Sequence, residues 1–329
     1  MAVCSLRSET HLSDQEQHTQ FKDLVQEHEV DQGVADSPDI NENKKDDQGV
    51  ADSLDKSEIQ KDDQAQQHQN PVLNTIRIPF EWNAVPDTQW APSSVDPSAR
   101  HDRSLFDFKV KPVIPFRIND DWSILTYTVF RFISVPWAEP APALTEDGIP
   151  YLEWKERRET GLSTVNPTAI LVPNIGPNWT VGFGPSLVVP VSSFPRSTEK
   201  WLAGPALFAL YRKDASLVGA RLHNLWSFAG NPEMDDINLM ILRPIVQFPI
   251  SDDWFLISSP IITADWTHPT GKGWTLPIGG GIGRRISLGQ QQLQISLQGY
   301  YNVLKPEVDG DELLGDWTIR TEVIFLLPK

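Results

Sequence analysis

Charged side chains recur at every second position of otherwise apolar runs, and that spacing is the main chemical statement of the sequence. Arg77 and Glu81 alternate with Ile76, Ile78, Phe80 and Trp82; Asp107, Lys109 and Lys111 alternate with Phe106, Phe108 and Val110. Sorting by parity puts Arg77, Lys109, Lys111, Arg131, Arg221, Arg243, Arg285 and Arg320 on the polar face, against Glu81, Asp107, Asp265 and Glu322, with His223 in addition. Basic residues therefore predominate on that face although the chain as a whole is acidic. If such faces line one interior, its net positive charge favours anions, as rings of basic side chains do in pores. The bland alternative is that the charges pair across neighbouring segments and fill the interior.

Catalytic patterns are weaker. Gly279-Gly-Gly-Ile-Gly283 is glycine-rich, but no Lys-Ser/Thr ending and no helical pattern follow it, so a phosphate loop is not expected. His101, His223 and His268 lie in separate segments without metal-ligand spacing, and Cys4 is the single cysteine. No Gly-x-Ser-x-Gly elbow is present. The expectation is a protein that is not an enzyme and needs no cofactor or metal.

The elements that would position the charged face are strands. In Gln292-Leu-Gln-Ile-Ser-Leu-Gln, Leu293, Ile295 and Leu297 share one face and Gln292, Gln294, Ser296 and Gln298 the other, a period of two. Twelve such runs are predicted, at about 73–83, 105–118, 121–133, 162–173, 179–191, 200–211, 215–228, 236–250, 253–266, 273–286, 291–304 and 315–327. Most approach or exceed the roughly 9 to 11 residues that a tilted strand needs to cross a bilayer. Tight connections alternate with longer ones at 84–104, 134–161, 192–199, 229–235, 267–272 and 305–314, the pattern of an outer-membrane barrel with short periplasmic turns. The predicted fold is an all-β, antiparallel up-and-down transmembrane β-barrel of about twelve strands over 73–329.

Tryptophan placement agrees. Trp122, Trp179, Trp254 and Trp317 open runs, Trp201 and Trp274 follow longer loops, and Trp82, Trp226 and Trp266 stand near run ends. An indole is apolar with one N–H donor, which suits the headgroup level, so these nine are expected to form an interfacial girdle. Lys111 to Trp122 is echoed by Arg243 to Trp254, each a strand, an Asp-Asp turn and a Trp. Side-chain hydrogen bonds from the aspartates are expected to support these turns. Bulges or register breaks are expected at Pro112, Pro185, Pro205, Pro244 and Pro277, each of which lacks a donor.

Asn178-Trp-Thr-Val-Gly-Phe-Gly-Pro185, Lys200-Trp-Leu-Ala-Gly-Pro205, His223-Asn-Leu-Trp-Ser-Phe-Ala-Gly230, Arg243-Pro, Trp274-Thr-Leu-Pro-Ile-Gly-Gly-Gly281, Tyr300-Tyr-Asn302 and Phe325-Leu-Leu-Pro-Lys329 occur in this order. In them the chain resembles the outer-membrane family named after the MetA pathway of phenol degradation, whose members often carry the label neuromedin U. The resemblance runs from about Asn74 to Lys329. It implies a bacterial outer-membrane barrel of the transporter type, with a role in uptake of small, aromatic or apolar, compounds, and it supplies no catalytic residues to transfer.

Residues 1–72 differ in texture. They hold 17 acidic and 6 basic residues, a charge of −11 out of the chain's −16, and Phe21 is their one aromatic. So little apolar surface cannot offset the cost of ordering the backbone, and a disordered acidic tail or spacer on the periplasmic side is expected. The acidic balance argues against nucleic acid as a partner. The expected partners are outer-membrane lipid, small solutes and the barrel-assembly machinery. Met1-Ala-Val-Cys-Ser-Leu-Arg7 lacks an apolar signal region, so an export signal is expected upstream. A pore or transporter for small solutes is the leading reading. A non-transport envelope-structural or adhesion barrel and a soluble ligand-binding β protein are the alternatives.

Overall fold

The computed structural model describes residue 70 and residues 72–89, 103–191, 199–268, 270–289, 291–308, 310–312 and 314–328. Their strands are β1 (Thr75–Thr88), β2 (Arg103–Val110), β3 (Val113–Arg117), β4 (Trp122–Leu144), β5 (Pro150–Pro173), β6 (Trp179–Pro190), β7 (Lys200–Lys213), β8 (Ser216–Gly230), β9 (Asn238–Pro249), β10 (Trp254–Ser258), β11 (Ile262–Asp265), β12 (Trp274–Leu288), β13 (Gln291–Leu304), β14 (Glu307–Val308), β15 (Asp311–Glu312) and β16 (Trp317–Pro328). Neighbours pair antiparallel, and β16 returns to β1 with Ile78 opposite Phe325, which closes the sheet. β2 and β3 are two parts of one strand, as are β10 and β11, while β14 and β15 form a separate small hairpin. The fold is thus a closed antiparallel barrel of twelve strands, and closure pairs the backbone groups that an open sheet would leave at its edges.

Proline explains the interruptions. At Pro112 the ladder to β1 passes from Phe80↔Val110 to Arg77↔Val113, and the Lys111 N–H donates to the Pro79 carbonyl at 2.9 Å. A register shift occurs at Leu276/Pro277. Pro185 and Pro205 face one another in an unshifted ladder, and the strands on their other sides lose pairings locally without changing register. Pro244 is regular toward Ala220, and its other edge falls where β10 and β11 are interrupted around Pro260. Bulges were therefore overestimated at Pro112, Pro185, Pro205 and Pro244, because a residue lacking its N–H can be kept in register if that edge meets a gap.

Two turns also differ from expectation. In the Asp-Asp turns the side-chain acceptors are the preceding residues: Asn119 Oδ1 takes the N–H groups of Asp121 and Trp122 at 3.0 and 2.8 Å, and Ser251 Oγ takes that of Trp254 at 3.3 Å. The first residue of a turn can reach amides two and three positions on, which the aspartates inside it cannot do. The predicted loop 134–161 is mostly strand: β4 and β5 continue as a paired ribbon from Val135↔Glu159 to Leu144↔Pro150. In a two-stranded ribbon each strand has a free edge where proline is tolerated, which admits Pro136, Pro140 and Pro142 in β4.

The expected disordered segment 1–72 lies outside the described residues except at its end, where Asn70 and Val72 are buried. Asn70 Nδ2 donates to the Trp179 carbonyl and to Thr180 Oγ1, at 2.8 and 2.7 Å. Leu73 packs against Leu125, Ile170, Val172 and Ala206, which point inward from β4, β5 and β7. Asn70, Val72 and Leu73 thus contribute to the filling of the barrel at its short-turn end.

Candidate functional site

Alternation divides every strand between two environments. On β13, Gln298, Tyr300 and Asn302 are buried whereas Leu297, Tyr301 and Val303 are exposed to the surroundings. The same parity exposes Trp82, Trp122, Trp179, Trp201, Trp226, Trp254, Trp266 and Trp317 on the outer surface, with Trp274 partly covered by an edge contact to Trp266 at 5.5 Å between rings. Trp122, Trp179 and Trp254 stand at the short-turn end, Trp201, Trp226, Trp266, Trp274 and Trp317 at the long-loop end, and Trp82 in the middle of β1 opposite Thr321. Between them the outer surface presents Phe130, Val181, Phe183, Leu207, Leu256, Ile278, Ile282 and Leu297.

Inside, a layer of charge crosses the barrel. Glu81, fully buried on β1, receives Lys111 Nζ at 2.5 Å, Arg243 Nη1 at 3.0 Å and Lys109 Nζ at 3.2 Å. Lys111 also reaches Glu322 at 2.7 Å, so one ammonium bridges two carboxylates that oppose each other directly in the β1–β16 ladder. Asp107 forms a two-pronged pair with Arg131, at 3.1 and 3.2 Å, and a third contact with Lys109 at 2.8 Å. Arg320 donates to Asn83 at 2.8 Å and to the Ser259 carbonyl at 2.6 Å, and its guanidinium lies 5.0 Å from the Tyr300 ring centre. Since β9 stands nearly across the barrel from β1, the Arg243–Glu81 pair spans the bore.

The layer separates two halves of the interior. Toward the short turns lies the apolar packing around Leu73, Leu125 and Val172. Toward the long loops lies a cavity of about 890 Å³ whose floor includes Glu81, Lys111, Tyr127, Arg221, Arg243 and Arg320. Its wall runs up Leu225, Leu239 and Ile237, and its mouth is formed by residues of the long loops, among them Asp236, His268, Lys272 and Glu307. At that mouth, hydrogen bonds from the Ser227 hydroxyl and the Lys200 ammonium hold the Asp236 carboxyl below the usual carboxylate range.

Of the charged residues selected by parity, Lys109, Lys111, Arg131, Arg221, His223, Arg243, Asp265 and Arg320 line this cavity together with Glu81 and Asp107. Glu322 belongs to the ionic layer beneath it. Arg77 and Arg285 stand apart at the short-turn end, where Arg285 donates to the Asp252 and Ala215 carbonyls at 3.4 and 3.3 Å. Sequence reasoning missed Tyr127, Tyr300, Asn83 and Ser259. Parity alone could have found Tyr300, which falls between Gln298 and Asn302 on the polar face. Tyr127 shares the parity of Arg131 on the same strand, whereas Ser259 carried no such signal.

The segments considered for catalysis have structural partners. Gly279 to Gly283 lie within β12, and a Cβ on Gly281 would come within 1.9 Å of the Leu297 carbonyl, so close strand packing accounts for that glycine. His223 Nδ1 lies 3.2 Å from Ser186 Oγ and His268 Nε2 lies 2.7 Å from the Glu307 carbonyl; His101 is outside the described residues. Among the described residues, no cluster of His, Cys, Asp and Glu is arranged to hold a metal.

No family model matches the chain, and no curated protein is significantly similar in sequence. Solved structures are similar in fold. The COG4313 outer membrane channel from Pseudomonas putida F1 aligns with a TM-score of 0.51 at 10% identity, over 79% of this chain and 97% of that one. The CymD monoaromatic hydrocarbon channel aligns at 0.40 and 10%, over 79% and 91%, and the Ralstonia pickettii toluene transporter TbuX at 0.39 and 8%, over 79% and 92%. The latter two similarities are too low to say anything of function. The first shows that the chain has the fold of an outer-membrane channel barrel.

Proposed function

We propose that the protein is a bacterial outer-membrane barrel that admits small organic solutes, aromatic or apolar in their bodies, through its long-loop end, and that it is a divergent member of the MetA-pathway family it resembles. The observation that carries this reading is the cavity of about 890 Å³, which has an apolar wall and a charged floor and opens among the long loops. A void of this size and mixed lining is typical of a site for a small organic molecule. The continuous band of exposed Phe, Leu, Ile and Val between two rows of Trp supports a lipid environment. It counts against the soluble alternative, because an apolar surface this extensive would drive aggregation in water. The likeness in fold to an outer-membrane channel supports the same reading.

One observation favours a second reading. The ionic layer and the packing of Leu73 fill the bore below the cavity, as a purely structural barrel would require. Uptake separates the two. Cells of a Gram-negative host making the full chain should take up a radiolabelled aromatic alcohol faster than cells without it. Equal rates, with folded barrel present in the outer membrane, would favour the structural reading.

A further inference from the structure

We infer that the cavity floor holds a subsite for the carboxylate of an amphipathic organic anion, formed by Arg221, Arg243 and His223. This inference rests on the reading of the cavity as a solute site and assigns the class of solute. Arg221 on β8 and Arg243 on β9 are directly opposite in the ladder and both line the cavity. Two like charges in that relation repel, and the pair needs an anion between or above them.

The protein supplies only part of one. Arg243 shares Glu81 and Glu322 with Lys111, whereas among the described residues no carboxylate lies within ion-pair distance of Arg221. Arg221 instead lies over the Tyr127 ring, 4.1 Å from its centre. The Nε atoms of Arg221 and Arg243 and Nε2 of His223 are buried without a hydrogen-bond partner. His223 is 3% exposed and Arg243 8% exposed, so water offers these groups little compensation. Across the layer, Lys109, Lys111, Arg131, Arg221, Arg243 and Arg320 oppose Glu81, Asp107 and Glu322, which leaves three positive charges in excess.

The surroundings define the rest of the ligand. Moving up the ladder from Arg221 and Arg243, the inward positions become His223 and Ile241, then Leu225 and Leu239. Val188, Leu225, Ile237 and Leu239 form one buried apolar cluster with Ile241 packed against it. Four residues of strand separate the arginine pair from the leucine pair, roughly 13 Å. A molecule with an anionic head and an apolar body of about that length would pair its head with the arginines and lay its body on the cluster.

Equilibrium dialysis tests this with the full chain in lipid nanodiscs, empty nanodiscs being subtracted. The probes are radiolabelled phenylbutyrate and the uncharged phenylbutanol, which differ only at the head. Phenylbutyrate is expected to bind at least tenfold more tightly, with Arg221→Gln abolishing the difference and Arg221→Lys, which keeps a cation, retaining part of it. Equal affinity of the native barrel for both probes would overturn the proposal, as would unchanged phenylbutyrate binding by folded Arg221→Gln. Should Arg221→Gln not fold, the acid-to-alcohol ratio in the native barrel and in Arg221→Lys decides. Cellular uptake of an uncharged aromatic does not depend on Arg221, so its persistence without acid preference refutes this inference alone, and its absence beside Arg221-dependent binding refutes the transport reading alone.

Discussion

Glu81 opposite Glu322 and Arg221 opposite Arg243 are the same arrangement with opposite sign, two like charges facing each other on adjacent strands inside one barrel. They are resolved differently. The carboxylates are satisfied by Lys111 and Arg243, with Lys109 in addition at Glu81, whereas the arginines retain buried N–H groups without acceptors. A complete network of charge-assisted hydrogen bonds locks strands together, while buried donors left without acceptors are costly until something supplies an acceptor. The β1–β16 side of the layer is thus a structural clamp and the β8–β9 side is the side facing ligand.

Removing a partner from the clamp should have the largest effect. Glu81→Gln strands Lys111 and Arg243 in a buried site with half their counter-charge, and breaking a buried pair in this way costs about 3 to 5 kcal/mol. Urea unfolding in lipid vesicles measures it, and a loss well below 1 kcal/mol would show that the clamp carries no stability. For the same reason Lys111 is unsuitable for probing selectivity, since its replacement by Glu would set three carboxylates together.

The outer surface gives this comparison its scale. Leu297 is exposed and lies opposite Ile282 and Thr321, one outward position further from the short turns than Ile295, so Leu297→Arg should cost roughly 2 to 4 kcal/mol in a bilayer. Ile295 suits that test less well than its alternation in sequence suggests. It lies opposite Arg284, whose guanidinium is 5.4 Å from the Trp254 ring at the short-turn end, so Ile295→Arg should be nearer to neutral. Equal costs at the two sites would contradict the assigned membrane position.

On the β8–β9 side the expectation reverses. Arg221→Gln removes a repulsion together with a contact to Tyr127 worth about 1 kcal/mol, so stability should change by no more than about that amount. A loss as large as that of Glu81→Gln would make Arg221 part of the clamp and end the contrast.

The smallest effect belongs to the mouth. Because the folded Asp236 carboxyl titrates below its ordinary value, its contribution is present above that value and fades as the pH falls through the lower, folded one. Amide exchange at Ile237, whose N–H is held by Ser227 Oγ at 3.0 Å, should lose protection relative to its neighbours over that acidic range. Asp236→Asn should flatten this pH dependence.

The barrel was legible because alternation is local: the parity that put Leu297 outside and Gln298 inside needs only adjacent residues. The clamp was not, because it depends on register. Nothing in the order of residues says that Glu81 meets Glu322, or that Arg243 reaches across the bore to Glu81. The β4–β5 ribbon was hidden by its prolines, and the burial of Asn70 and Val72 by the polar composition around them.

The central claim, an interior with a net positive floor that remains open to anions beside Arg221, is tested most directly by reversal potentials in planar bilayers under a salt gradient. The acidic residues of the mouth oppose anion entry, but exposed charges are screened within about 8 to 10 Å at ordinary salt, whereas the buried floor is not. The account predicts an anion-selective potential that Arg221→Glu weakens or reverses. Cation selectivity in the native barrel, or an anion selectivity that Arg221→Glu leaves unchanged, would contradict it.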